Sequence, residues 1–228
     1  MLNALFALLA VLNAPLAAPV ALDAPTVVAK IQGYYAGTKK LSAEFNQEYT
    51  ATTFGRKSLS GGRLLVAKPG KMRWDYKTPE KKYFISDGTT LWVYEEAAKQ
   101  AYQQSLSDQI LPVAVTFLYG KGDLATEFDA VLDADAKYGA KGDFIVKLTP
   151  KKPDAQYKNL WLVVDPADFH VKESIILEAS GNLNHFTFGN LKQNEQAKVP
   201  DSLFKFTPPA GVRVIKPEDV APASPKTE

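Results

Sequence analysis

The chain has 228 residues, 46% hydrophobic and 23% charged, a length that suffices for one large domain with a well-buried core. It has no cysteine, which excludes disulfides, thiolate nucleophiles, zinc–cysteine sites and a lipid-modified N-terminal cysteine. The net charge is +2, with Lys and Arg scattered, so the basic stripe expected of a nucleic-acid binder is missing.

Residues 1–24 read as a signal peptide, which places the remainder outside the cytoplasm. Met1 to Leu12 is almost wholly apolar and no Lys or Arg precedes Lys30, although a basic start and an Ala-x-Ala pair are lacking. Asn13, Pro15 and Pro19 interrupt the run well short of the roughly 20 apolar residues of a spanning helix. Pro25 to Thr38 is expected to be a helix, with Thr26 as N-cap, Val27, Val28, Ile31 and Tyr34/Tyr35 at helical spacing, and Gly37 as C-cap. From Leu41 the period becomes two: Leu41, Ala43, Phe45 and Tyr49 alternate with Ser42, Glu44, Asn46 and Glu48.

Strands are expected at Ser58–Lys68, Lys71–Tyr76, Lys82–Ser86, Thr90–Glu95 and Lys99–Ser105, with turns at Pro69-Gly70 and Asp87-Gly88. Within them Met72, Trp74 and Tyr76 alternate with Lys71, Arg73 and Asp75. Between Leu106 and Tyr119 a dense apolar run broken by Pro112 reads as one or two short helices that must lie against an apolar surface. Strands resume at Thr126–Leu132, Phe144–Leu148, Leu160–Asp165, Val171–Leu177 and His185–Leu191, and Phe204 to Val212 closes the domain. The fold class is therefore mainly β: about 10–11 antiparallel strands in one curved sheet or half-barrel wrapped around helices, with an N-terminal helix and a mid-chain helical segment that is either a lid or a core helix. Residues 25–215 form the domain and 216–228 a flexible tail.

Catalytic motifs are absent. His170 and His185 fall in separate strands without a nearby carboxylate cluster and read as structural, and Asp133 and Asp135 read as a turn. The glycine-containing loops at Gly120–Asp123 and Gly139–Asp143 lack the P-loop pattern, and no nucleophile elbow or zinc-protease motif occurs. The chain reads as a non-enzyme without cofactor or metal. What stands out instead is a set of large aromatics: Trp74, Tyr76, Phe84, Trp92, Tyr94, Phe117, Trp161, Phe186 and Phe188. Two readings stay open for them, a packed barrel core and a pocket for acyl chains closed by the 106–119 segment. The second makes physical sense because each buried methylene is worth about 0.8 kcal/mol, so a multiply acylated molecule needs a shield to cross water.

Several motifs occur in a fixed order: Gly62-x-Leu64, Lys68-Pro69, Arg73-Trp74, Pro79, the Ser-Asp-Gly-x-x-Leu-Trp-x-Tyr run Ser86–Tyr94, Gln100, and the Phe-x-Phe-x-Pro-Pro-x-Gly close Phe204–Gly211. Together they make the stretch from Thr26 to Val214 resemble the outer-membrane lipoprotein carrier LolA family. The resemblance implies an incomplete antiparallel β-barrel with a mid-chain helical lid, and a monomeric periplasmic chaperone that binds the acyl chains of lipoproteins in a hydrophobic cavity. It would take acylated lipoproteins from an inner-membrane ABC-type release complex and pass them to an outer-membrane acceptor, with no nucleotide of its own. It makes Leu64, Trp74, Phe84 and Trp92 cavity candidates and Leu111, Val115 and Leu118 lid candidates. Lys68 becomes the latch candidate, and Pro69 and Met72 candidates for the partner-docking loop. Two positions depart from the family pattern. Lys68 stands where Arg is usual, which offers a point charge rather than a planar fork, and Met72 stands where an aromatic is usual. The alternatives are a carrier of the same fold for another amphiphile, such as a glycolipid, or a module whose apolar face binds a protein and no lipid.

Overall fold

The computed structural model describes residues 22–105, 122–135 and 137–217. Helix α1 (Ala24–Ala36) starts earlier than its sequence suggests. Asp23, not Thr26, is the N-cap, its carboxylate accepting from the Thr26 backbone N–H at 3.0 Å, and Pro25 in the first turn needs no donor. Val27, Val28, Ile31 and Tyr35 form its buried stripe.

Among the described residues twelve strands follow: β1 (Lys40–Ala51), β2 (Arg56–Ala67), β3 (Lys71–Thr78), β4 (Lys82–Asp87), β5 (Thr90–Glu95), β6 (Gln100–Ser105), β7 (Phe128–Leu132), β8 (Phe144–Pro150), β9 (Tyr157–Val164), β10 (Val171–Glu178), β11 (Leu183–Gln193) and β12 (Arg213–Ile215). A one-turn helix, α2 (Leu124–Glu127), occupies the start of what the sequence suggested as a strand from Thr126. Asp123 caps it by accepting from the Ala125 and Thr126 N–H groups.

All twelve strands join one sheet in the order β12-β6-β5-β4-β3-β2-β1-β11-β10-β9-β8-β7. Every pairing is antiparallel except β6–β12, which is parallel and adds an edge strand that the alternation could not reveal in three residues. Because β7 and β12 do not meet, the sheet curls into a barrel that stays open, as the sequence led us to expect.

The strand registers sort every side chain onto one of two faces. Leu41, Ala43 and Phe45 of β1 lie opposite Val66, Leu64 and Gly62 of β2, which in turn lie opposite Met72, Trp74 and Tyr76 of β3. These side chains point to the concave face, where α1 packs nearest β7, β8 and α2. Over β8 to β10 the same face carries Val146, Leu148, Leu160, Leu162 and Ile176, so the main core is one apolar layer between helix and sheet. The Tyr35 hydroxyl anchors the helix across this layer by accepting the Val171 N–H at 3.1 Å.

A smaller core covers the outer face, where Leu65 and Ala67 of β2 pack against Ala197, Val199 and Phe204 of the returning C-terminal segment. The Arg73 guanidinium ties that segment down, donating to the Leu203 carbonyl at 3.0 Å and to the Asp75 carboxylate at 2.6 Å. Phe206 continues the cover, its ring 5.4 Å from both Trp92 and Tyr94.

Candidate functional site

The concave face of β1 to β6 is built as cross-strand rows. The first row is Leu41, Val66, Met72, Ser86 and Leu91; the second is Ala43, Leu64, Trp74, Phe84, Val93 and Tyr102. The third runs Phe45, Gly62, Tyr76, Lys82, Glu95 and Gln100. Aromatic rings concentrate where the second and third rows meet β11. Phe45 lies edge-on to both Trp74 and Tyr76 with centroids 4.9 Å apart, and Phe186 stacks on Phe188.

Gly62 makes this possible. A Cβ there would come within 1.9 Å of the Asp75 carbonyl oxygen, so the two strands approach at a bulge that only a residue without a side chain permits. Burial also pushes the Tyr76 phenol up to about 12, so it stays a neutral wall of the hollow. Trp74 is buried, whereas Tyr76, Phe84, Val93 and Phe188 are half-buried.

Lys68 sits at one end of these rows. Its ammonium donates to the Tyr35 carbonyl in the last turn of α1, where a cation is favoured, and burial lowers its pKa. Beside it the Ser-Asp-Gly motif acquires a physical meaning. Buried Ser86 donates to the Gly70 carbonyl at 3.2 Å and accepts the Gly88 N–H at 3.1 Å, so one hydroxyl joins the β2–β3 and β4–β5 turns. Asp87 accepts from the Thr89 and Thr90 N–H groups, and the bond to Thr90 is the main reason its carboxyl lies below the usual range.

The structure brings Leu64, Trp74 and Phe84 together in one row but not Trp92. The β4–β5 turn places Ser86 opposite Leu91, so the inward set passes from even-numbered to odd-numbered residues and Trp92 falls on the outer face against Phe206. Met72 is likewise displaced from its expected role. It is 2% exposed inside the main core, because it alternates inward with Trp74, and is no part of a docking surface, whereas Pro69 is exposed. Leu111, Val115 and Leu118 lie outside the described residues, as does the rest of the apolar 106–121 segment.

Phe186 and Phe188 belong to the set of large aromatics that the sequence singles out, but Phe45 does not, and only the β1–β11 register, which sets it opposite Phe188, brings it into the cluster. The histidines do have carboxylate partners, contrary to their sequence reading. His170 Nδ1 is 2.6 Å from Asp168 and His185 Nε2 is 2.8 Å from Glu173. Both pairs are part-exposed and lie away from the rows. Asp133 serves its turn, accepting the Trp161 indole N–H at 2.9 Å.

An open barrel with a helix on its concave side and a half-buried aromatic hollow beside that helix defines a class of proteins built around an apolar interior. A family profile described as outer membrane lipoprotein carrier protein LolA matches residues 36–207, and the chain belongs to that family. It is 30% identical over 212 residues to an outer-membrane lipoprotein carrier protein of Chromobacterium violaceum, covering 90% of this chain and 94% of that one. A protein of the same description from Dechloromonas aromatica is 27% identical over 188 residues, 82% of this chain and 86% of its own. An uncharacterized conserved protein from Thermus thermophilus shares the fold, with a TM-score of 0.52 at 9% identity over 83% of this chain and 96% of that one.

Proposed function

We propose that the chain is a periplasmic, non-enzymatic lipoprotein carrier that shields acyl chains in the concave hollow of its sheet. The observation that carries this reading is the contrast between the two halves of one face. Over β8 to β10 Val146, Leu148, Leu160, Leu162 and Ile176 are buried and Phe144 at the start of β8 is half-buried, whereas over β3 to β5 the neighbouring apolar side chains Tyr76, Phe84 and Val93 are all half-buried. A face finished only as a core has no physical reason to leave a group of neighbouring apolar side chains half-open beside the buried Trp74. Leu64, Trp74 and Phe84 form the cavity wall, and Lys68, holding the last turn of α1, is the latch between helix and barrel. The family relatives, described as outer-membrane lipoprotein carriers, support lipoprotein as cargo. The donor in this reading is an inner-membrane ABC-type complex and the recipient an outer-membrane acceptor. Among the described residues no helix is long and apolar enough to cross a membrane.

The test is native mass spectrometry of the protein purified from periplasm without detergent. A bound triacylated lipoprotein is the expected result. A smaller amphiphile in its place would overturn the lipoprotein assignment, and a reproducibly empty protein that also refuses a tripalmitoylated cysteinyl peptide would overturn carriage altogether.

A further inference from the structure

The rows of the concave face differ along the barrel axis, and the difference gives the hollow a direction. At the Lys68 end the row Leu41, Val66, Met72, Ser86 and Leu91 is closed, no member more than 2% exposed. The last turn of α1 and the buried Thr38 complete that closure. Toward the other end the inward positions turn polar on strand after strand: Gln47, Ser60, Lys82, Glu95 and Gln100, with Asn184 on β11. Gln47 donates to Asn184 at 2.8 Å and Lys82 pairs with Glu95 at 2.8 Å, its ammonium 5.3 Å from the centre of the Phe84 ring. At this end opens a cleft of about 440 Å³ with Tyr76 and Phe84 as its apolar wall and Ser60, Lys82 and Glu95 among its polar residues.

We propose that this cleft is the portal of the hollow and that it sets the orientation of the cargo. Acyl tails point toward Met72 and Leu91, and the glyceryl-cysteine head with the peptide that follows it lies at Gln47, Ser60, Lys82 and Glu95. The inference rests on the carrier reading and deepens it. Ester and amide groups buried against apolar walls lose hydrogen bonds that nothing replaces, while tails at a polar rim gain no burial, so the reverse orientation is disfavoured twice. The rim also specifies the head. The charges lining the cleft balance, Lys81 and Lys82 against Glu80 and Glu95, with Lys82 paired to Glu95. The Gln47, Asn184 and Gln100 amides and the Ser60 hydroxyl along the rim supply both donors and acceptors, which suits a neutral, ester- and amide-bearing group rather than a phosphate.

The absence of cysteine makes a clean experiment possible. Ala97→Cys places a single label in the β5–β6 turn beside the cleft, and Thr89→Cys places one in the β4–β5 turn at the closed end; both positions are exposed. Each variant of the full chain carries a nitroxide, and a tripalmitoylated cysteinyl peptide carries a second at its C-terminus, the separation being read by pulsed dipolar spectroscopy. With a rise of about 3.4 Å per strand residue, the distance from position 97 should be shorter than that from position 89 by on the order of 15 Å. Equal distances, or the reverse order, overturn the portal and leave carriage standing. Failure of the peptide to bind overturns carriage and the portal with it. A bulky maleimide adduct on Ala97→Cys should further slow peptide uptake at least tenfold while the same adduct on Thr89→Cys changes it less than twofold; equal uptake by the two adducts overturns the portal.

Discussion

Single residues carry two separable duties in this barrel, closing the strands on one another and holding the helix to them. Gly62 has the first. Its missing Cβ lets β2 and β3 approach at the bulge where Phe45 meets Tyr76. Gly62→Ala forces a methyl group into the Asp75 carbonyl oxygen, and the neighbour is backbone that cannot rotate away. We expect a loss of about 3 kcal/mol, the upper end for overpacking, read as a lower urea midpoint with an unchanged slope; a variant as stable as the wild type would show that the bulge relaxes freely. Lys68 has the second duty. Lys68→Leu keeps the apolar stem but removes the donor to the Tyr35 carbonyl, a part-buried bond that water can replace only in part. The expected outcome is a folded protein, judged by an unchanged circular dichroism spectrum, with impaired handover of lipoprotein to an acceptor. Normal handover would remove Lys68 from the latch. The sequence showed both residues but not their reasons. Gly62 read only as part of a strand motif, because the close approach depends on where the bulge in β3 falls, and Lys68 read as a latch through family resemblance without its partner being visible.

At the level of elements, the turns and caps do much of the specifying, and they were legible in proportion to how local their chemistry is. Asp87-Gly88 read as a turn from two residues, and the structure adds that the Asp87 carboxylate closes it by accepting from Thr89 and Thr90. The α1 cap was misplaced by three residues because Thr26 and Asp23 are both good capping types, and only the geometry shows which oxygen reaches the free N–H. The short α2 and the three-residue β12 escaped because neither is long enough to establish a period. Asp87 gives this scale its pH prediction. Its carboxyl pKa is depressed in the folded state, so the stabilisation is complete above the ordinary aspartate value of about 3.9 and is lost as pH falls through the depressed folded value. Stability should therefore decline in acid below about pH 4, and Asp87→Asn, which keeps an acceptor but cannot titrate, should decline less steeply. Identical slopes for the two proteins in urea titrations between pH 2 and 5 would assign the acid sensitivity elsewhere, for example to Asp143 or Asp168, whose carboxyls are also lowered.

The whole molecule is one sheet with two differently finished faces, and the assignment of side chains to faces is what the sequence could not complete. Alternation showed that Met72, Trp74 and Tyr76 share a side, as do Trp92 and Tyr94, but not that the two sets lie on opposite sides of the sheet. The β4–β5 register decides it: Phe84 stands opposite Val93 and Ile85 opposite Trp92. Phe84 and Trp92 thus form a natural comparison, two half-buried aromatics on neighbouring strands that differ in the face they occupy. Phe84 lines the hollow beside Tyr76, and Trp92 packs beneath Phe206 of the C-terminal segment. If the hollow holds acyl chains, Phe84→Ala removes contact area from the ligand and should weaken binding of a tripalmitoylated cysteinyl peptide by roughly tenfold, the equivalent of about 1.4 kcal/mol. Trp92→Ala should leave that affinity within twofold and instead lower the unfolding free energy by about 1–3 kcal/mol, since it unpins the outer cover. Calorimetric titration of both variants, with urea unfolding alongside, separates the cases. Equal losses of affinity would mean that the two faces communicate through the sheet, and unchanged binding in Phe84→Ala would remove this half of the barrel from the cargo site.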